Sequence, residues 1–127
     1  MAKILSIVET AYRATLEEQD DTIVWLNTMF KKLNADISLL FRSNAVNYVI
    51  QGQNASGLSI GGMVQQNPPQ IGRDIADLLA MGVPIYVVEA DLRERGIKRE
   101  EMMPGVQTMG VEEFYHRLAD FDHIWHW

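Results

Sequence analysis

Three short apolar runs punctuate this chain, and they constrain its fold more than anything else in the sequence. They are Lys3 to Glu9 (KILSIVE), Asp36 to Phe41 (DISLLF) and Pro84 to Val88 (PIYVV). Each is short, apolar and rich in β-branched or aromatic residues, the pattern of a strand covered on both faces. Stretches of helical spacing lie between them. Ile23, Leu26, Phe30 and Leu33 form one apolar stripe. The acidic run Glu17–Asp21 before it and Lys31–Lys32 at its end complement a helix dipole, and Asn34 is a stop. Ala11–Leu16 is the connector from the first strand. After the second strand, Ser43 or Asn44 caps a helix carrying Ala45, Val46, Val49 and Ile50. Ile71, Ile75, Leu78 and Leu79 make the next helix, closed by Gly82.

The final third continues the alternation. Asp91–Arg95 is a short helix and Lys98–Met103 a further turn. Val106–Met109 is a short fourth strand, Val111–Leu118 a helix, and Asp122–Trp127 a last strand. Strands alternating with helices imply crossover connections and a parallel sheet with helices on both faces. At 127 residues with no internal linker, repeat or low-complexity tract, residues 1–127 are expected to form a single domain.

Composition narrows the function. The formal net charge is −6, which argues against a nucleic-acid or anionic-membrane binder, since either needs a basic face. There is no cysteine, hence no disulfide, thiolate metal site or cysteine nucleophile. No stretch reaches the roughly 18 apolar residues of a membrane span, and MAKILSIVETAY lacks the pattern of a signal peptide. The expected compartment is the cytoplasm.

Four places invite a functional reading. Glu89 and Asp91 sit beyond the carboxyl end of the Pro84–Val88 strand, where open α/β sheets bind ligands. They are either a ligand-binding or general-base pair or helix caps. Tyr12 and Arg13 follow the first strand, and Arg42, Ser43 and Asn44 follow the second. A parallel sheet therefore brings Tyr12, Arg42, Asn44, Glu89 and Asp91 to one rim. The segment Gly52–Pro69 is too long for an idle connector. It is either a lid over that rim or an oligomer contact carrying Leu58, Ile60 and Met63, with a short irregular helix expected around Leu58–Val64. It holds no phosphate-binding glycine motif. The tail, with Trp125 and Trp127 on one face of an extended strand, is either an edge packed under a helix or a subunit interface. His123 and His126 point to opposite faces of such a strand, so no metal site is expected from them.

Several segments together resemble the DsrE/DsrF-like family of sulfur-relay proteins. They are the apolar first strand followed by Leu16–Asp21 and an amphipathic helix, the strand-to-helix passage Phe41–Tyr48, and Gly82–Val88 leading to Arg95–Gly96. The resemblance implies a three-layer α/β/α domain with a five-stranded, mainly parallel sheet, and trimers or hexamers of like or related subunits. In cysteine-bearing members a thiol near the end of the third strand carries persulfide sulfur. Counting back from Arg95–Gly96 sets Val88 at that position, or Glu89 if the register slips by one. Neither residue forms a persulfide. The expected role is therefore a non-catalytic assembly or binding subunit, without a cofactor. Its partners would be copies of itself, related subunits or a cysteine-bearing sulfur-relay protein. The alternative is a small-molecule binder or enzyme using the rim around Glu89, Arg42 and Tyr12.

Overall fold

A computed structural model describes residues 1–10, 22–53, 56–68 and 70–127 of the chain. Strand β1 (Lys3–Val8) precedes helix α1 (Thr22–Lys32) and strand β2 (Asp36–Phe41). A 3-10 helix spans Ser43–Val49. The short strands β3 (Ser59–Ile60) and β4 (Met63–Val64) form a hairpin ahead of α2 (Ile71–Ala80). Strand β5 (Ile85–Val88) runs directly into α3 (Glu89–Glu94). A 3-10 turn, Arg99–Glu101, leads to β6 (Gln107–Met109) and α4 (Val111–Arg117). A last 3-10 turn, Leu118–Asp120, precedes β7 (His123–His126).

The main sheet has the order β6-β5-β2-β1-β7, and every neighbouring pair is parallel. Its central strands are apolar on both sides because both sides are covered. Val8, Ile37, Leu39, Phe41, Ile85 and Val87 face the side where α1 and α2 contribute Val24, Ile75 and Leu78. Leu5, Ile7, Leu40, Tyr86 and Val88 face the other side, against Phe114 of α4 and Met109. The domain is thus a three-layer α/β/α structure. The chain steps away from β1 through β2 and β5 to β6, then returns to the opposite side of β1 as β7.

Helix ends follow their local chemistry. Asn34 takes a left-handed backbone (φ 65°) just past α1. Gly82 does the same after α2 (φ 79°), and Val83 N–H closes back onto the Leu78 carbonyl at 3.0 Å, the six-residue wrap that ends many helices.

Three expectations are corrected. The buried face of α1 is Ile23, Val24, Asn27 and Thr28; Leu26 and Phe30 are half-buried, and Leu33, beyond the helix end, is 78% exposed. Two polar residues on that face fold back on their own helix: Asn27 Nδ2 donates to the Ile23 carbonyl at 2.8 Å and Thr28 Oγ1 to the Val24 carbonyl at 3.5 Å, while Asn27 Oδ1 is buried with no partner among the described residues. Leu58–Val64 is a β-hairpin rather than an irregular helix. Gly61 and Gly62 both have positive φ (56° and 83°), the two-residue turn that matches strand twist. The segment after β2 is a 3-10 helix, and neither Ser43 nor Asn44 caps it; Arg42 stands at the N-cap without a side-chain cap bond. The run Glu17–Asp21 and the connector Ala11–Leu16 lie outside the described residues.

Candidate functional site

Because all five strands of the main sheet are parallel, their carboxyl ends share one edge. Polar side chains from four of them meet there in a line. At the end of β7, His126 Nε2 lies 2.6 Å from Glu9 Oε2, just past β1. Glu9 Oε1 accepts a long hydrogen bond from Ser43 Oγ (3.4 Å), just past β2. The Ser43 backbone N–H donates to Asp91 Oδ2 at 2.8 Å, in α3 beyond β5. The line crosses the gap between β1 and β7, where the strand order reverses. In open α/β sheets that reversal is where ligands settle.

Each member is placed by main-chain pairing. Glu9 N–H donates to the Trp127 carbonyl (3.0 Å), and Arg42 N–H to the Val8 carbonyl (3.0 Å). Ser43 then turns with φ 50°, a conformation costly for a residue with a side chain. Asp91 holds that turn by satisfying its N–H. The carboxylate therefore caps the neighbouring 3-10 helix across the sheet edge, rather than its own helix.

Arg42 and Arg95 flank the line. Arg42 Nε lies 4.0 Å from Glu9 Oε1, and its guanidinium sits 5.8 Å from the Phe114 ring centroid. Arg95 donates to Asn44 Oδ1 at 2.9 Å and to the Asp91 carbonyl at 3.1 Å, and pairs with Glu94 at 3.7 Å. Val88 ends β5 with only 4% exposure, inside the second core. Glu89, the next residue, is half-buried and has no hydrogen-bond or ion-pair partner among the described residues. On the second face of the sheet, Arg117 donates to Tyr86 Oη at 3.2 Å, and that bond first of all raises the pKa of its guanidinium.

The expected rim residues Arg42, Asn44, Glu89 and Asp91 thus do share one edge, and Arg42, Asn44 and Asp91 are held in its network. Tyr12 and Arg13 lie outside the described residues. The pattern reading missed Glu9 as a site residue by placing it within the first strand. It treated His126 as a tail residue, although the end of a last parallel strand is the same kind of position as Arg42. The arrangement can exchange protons or hydrogen bonds with a bound group through His126, Glu9 and Ser43. It is not a serine-histidine-acid triad, because the carboxylate stands between the hydroxyl and the imidazole. No cluster of three metal-ligating side chains occurs among the described residues.

The expected contact residues fall on two elements. Leu58, Ile60 and Met63 project from the β3–β4 hairpin, each more than half exposed. Trp125 packs against Phe30 of α1 with ring centroids 5.0 Å apart, and Trp127 Nε1 donates to the buried Ser6 Oγ at 2.9 Å. A cleft of about 530 Å³ opens elsewhere, lined by Trp25 of α1, Gln66 to Pro68, Gln70, Arg73 and Asp74. None of the described rim residues lines it. No helix among the described residues is long and apolar enough to cross a membrane.

A family model described as the DsrE/DsrF-like family matches residues 7–126. Among solved structures, the ychN protein from E. coli is similar with a TM-score of 0.77 and 22% sequence identity, over 100% of both chains. The protein of unknown function MTH1491 from Methanobacterium thermoautotrophicum is similar with a TM-score of 0.64 and 14% identity, over 97% of each chain. No curated protein matches the sequence. At these identities the two structures speak to the fold.

Proposed function

The chain belongs to the DsrE/DsrF-like family, and from that premise we propose that it is a cysteine-less assembly or binding subunit related to sulfur-relay proteins. The observation that carries this reading is chemical. The crest after β5 presents Glu89 and Asp91, with Val88 buried just before them, and the whole chain holds no thiol. A persulfide forms on a thiolate, so this crest holds or docks rather than carries sulfur. Its partners in this reading are copies of itself, related subunits or a cysteine-bearing relay protein, in the cytoplasm. The exposed apolar hairpin supports the contact role.

Co-purification tests it. Tagged protein recovered from its own host is expected to bring down untagged copies or a cysteine-bearing partner in fixed stoichiometry. Recovery of a lone monomer at micromolar concentration would remove the assembly reading.

A second reading draws on the rim. Glu89 stands without a partner among the described residues beside the His126–Glu9–Ser43–Asp91 line, which favours a small polar ligand bound at the edge. Glu89→Ala would then weaken binding of that ligand while leaving the fold intact. An unchanged affinity would dismiss Glu89 as its anchor.

A further inference from the structure

We infer that the cleft beside Trp25 is a binding site for a purine nucleoside, its base stacked on the indole. The cleft is bounded by α1, by the segment that follows β4 and by the first turn of α2. It is a different place from the rim at the strand ends, whose described residues take no part in its lining.

Its volume of about 530 Å³ falls within the roughly 300–1,000 Å³ of small-molecule pockets. Trp25 supplies the aromatic part of the lining and is 43% exposed. The other two tryptophans are engaged, Trp125 against Phe30 and Trp127 on Ser6. An indole that lines a cleft and stays open to water is a stacking platform, and every base has a π-face to lay on it. A purine's two fused rings match the indole's own in area. The polar part of the lining is braced. Gln66 Nε2 donates to the Val64 carbonyl at 3.3 Å and Gln70 Nε2 to the Pro68 carbonyl at 3.4 Å. Just before them Gln65 is buried, and its N–H donates to the Leu58 carbonyl at 2.8 Å. A Cβ on Gly57 would lie 2.9 Å from the Gln65 carbonyl oxygen, so glycine permits that close crossing. At the other end, Asp74 N–H donates to the Gln70 carbonyl at 3.0 Å as α2 begins. A lining tied at both ends lowers the ordering cost when a ligand enters.

The side chains select the ligand. Gln66, Asn67 and Gln70 are primary amides, each with donors and an acceptor. Arg73 adds donors alone and Asp74 acceptors alone. A purine carries both kinds of group around a flat ring, and amide, guanidinium and carboxylate side chains are the ones that read base edges. An aliphatic ligand would leave these groups without partners. Charge keeps the ligand neutral. Arg73 and Asp74 cancel within the lining, and the chain carries a net charge of −6. A phosphate would meet one guanidinium, with a carboxylate next to it in sequence, on an acidic protein. A neutral nucleoside needs no basic face.

The test is equilibrium dialysis of the full chain against guanosine and adenosine, with tryptophan emission as a second readout. At least one of the two is expected to bind saturably with a Kd below about 1 mM and to quench the emission. Trp25→Ala and Arg73→Ala are each expected to weaken that binding about 5-fold or more, and Trp25→Phe to keep most of it. Both side chains are exposed, so neither substitution opens the core. Glu89→Ala at the rim is expected to leave the affinity unchanged, and the 5′-monophosphate to bind no tighter than its nucleoside. Several results would overturn the site. They are no saturable binding of either nucleoside, binding undiminished in Trp25→Ala, a monophosphate more than about 10-fold tighter than its nucleoside, or binding of methyl glucoside in place of both nucleosides.

Discussion

His126 and Glu9, 117 positions apart in sequence, meet at 2.6 Å across the carboxyl ends of two adjacent parallel strands. The contact exists because the last strand returns to the free side of the first. Both side chains are partly open to water, so the pair contributes little to folding. A double-mutant cycle with Glu9→Ala and His126→Ala is expected to give a coupling below about 1 kcal/mol in urea unfolding. A larger coupling would mean that the pair is structural rather than available to a ligand.

Asp91 and Ser43 behave differently, because their bond serves a part-buried backbone N–H. Asp91→Ala leaves that group without its acceptor and is expected to cost about 1–2 kcal/mol, with Asp91→Asn costing less. Ser43→Gly relieves the positive φ and is expected to be neutral or stabilising by up to about 1 kcal/mol. Chemical denaturation of the three variants checks both signs.

The strands were legible in the sequence because a sheet covered on both faces makes its central strands predominantly apolar, as in Ile37–Phe41, where Ser38 alone is polar, and Ile85–Val88. The helix stops at Asn34 and Gly82 were legible because a left-handed turn favours those residues. Other features were hidden for definite reasons. Two-residue strands such as Ser59–Ile60 have no periodicity to detect. The buried face of α1 was misplaced because it includes the polar Asn27 and Thr28, whose side-chain donors bond back to their own helix. Arg42, Asn44, Glu89 and Asp91 were placed at one rim by parallel topology alone. The link from Glu9 to His126 depends on strand order, which local pattern does not encode.

Exposure at the crest separates two adjacent positions. Val88 is buried in the second core, whereas Glu89 is half-exposed just beyond it. A thiol needs access to react. Glu89→Cys is therefore expected to label with a soluble thiol reagent at least about 10-fold faster than Val88→Cys. Equal rates would place Val88 at an open crest instead.

The tail anchors the edge strand through an asymmetric bond. Trp127→Phe leaves the fully buried Ser6 hydroxyl without its donor and is expected to cost about 1–2 kcal/mol. Ser6→Ala is expected to cost less, because the half-buried Trp127 N–H retains access to water. Thermal unfolding of the two variants checks the order.

The core sets the upper end of the scale. Leu39 lies wholly buried in the central strand β2, and Leu39→Ala is expected to cost about 2–5 kcal/mol. Urea unfolding measures it, and a cost below 1 kcal/mol would contradict the sheet's two-sided packing.

A native mass spectrum of the protein from its own host reads subunit count, partner mass and any added sulfur together. The expected spectrum shows a complex of several chains in which this one keeps the mass of its sequence. A lone chain, or one carrying covalent sulfur of its own, would contradict the account.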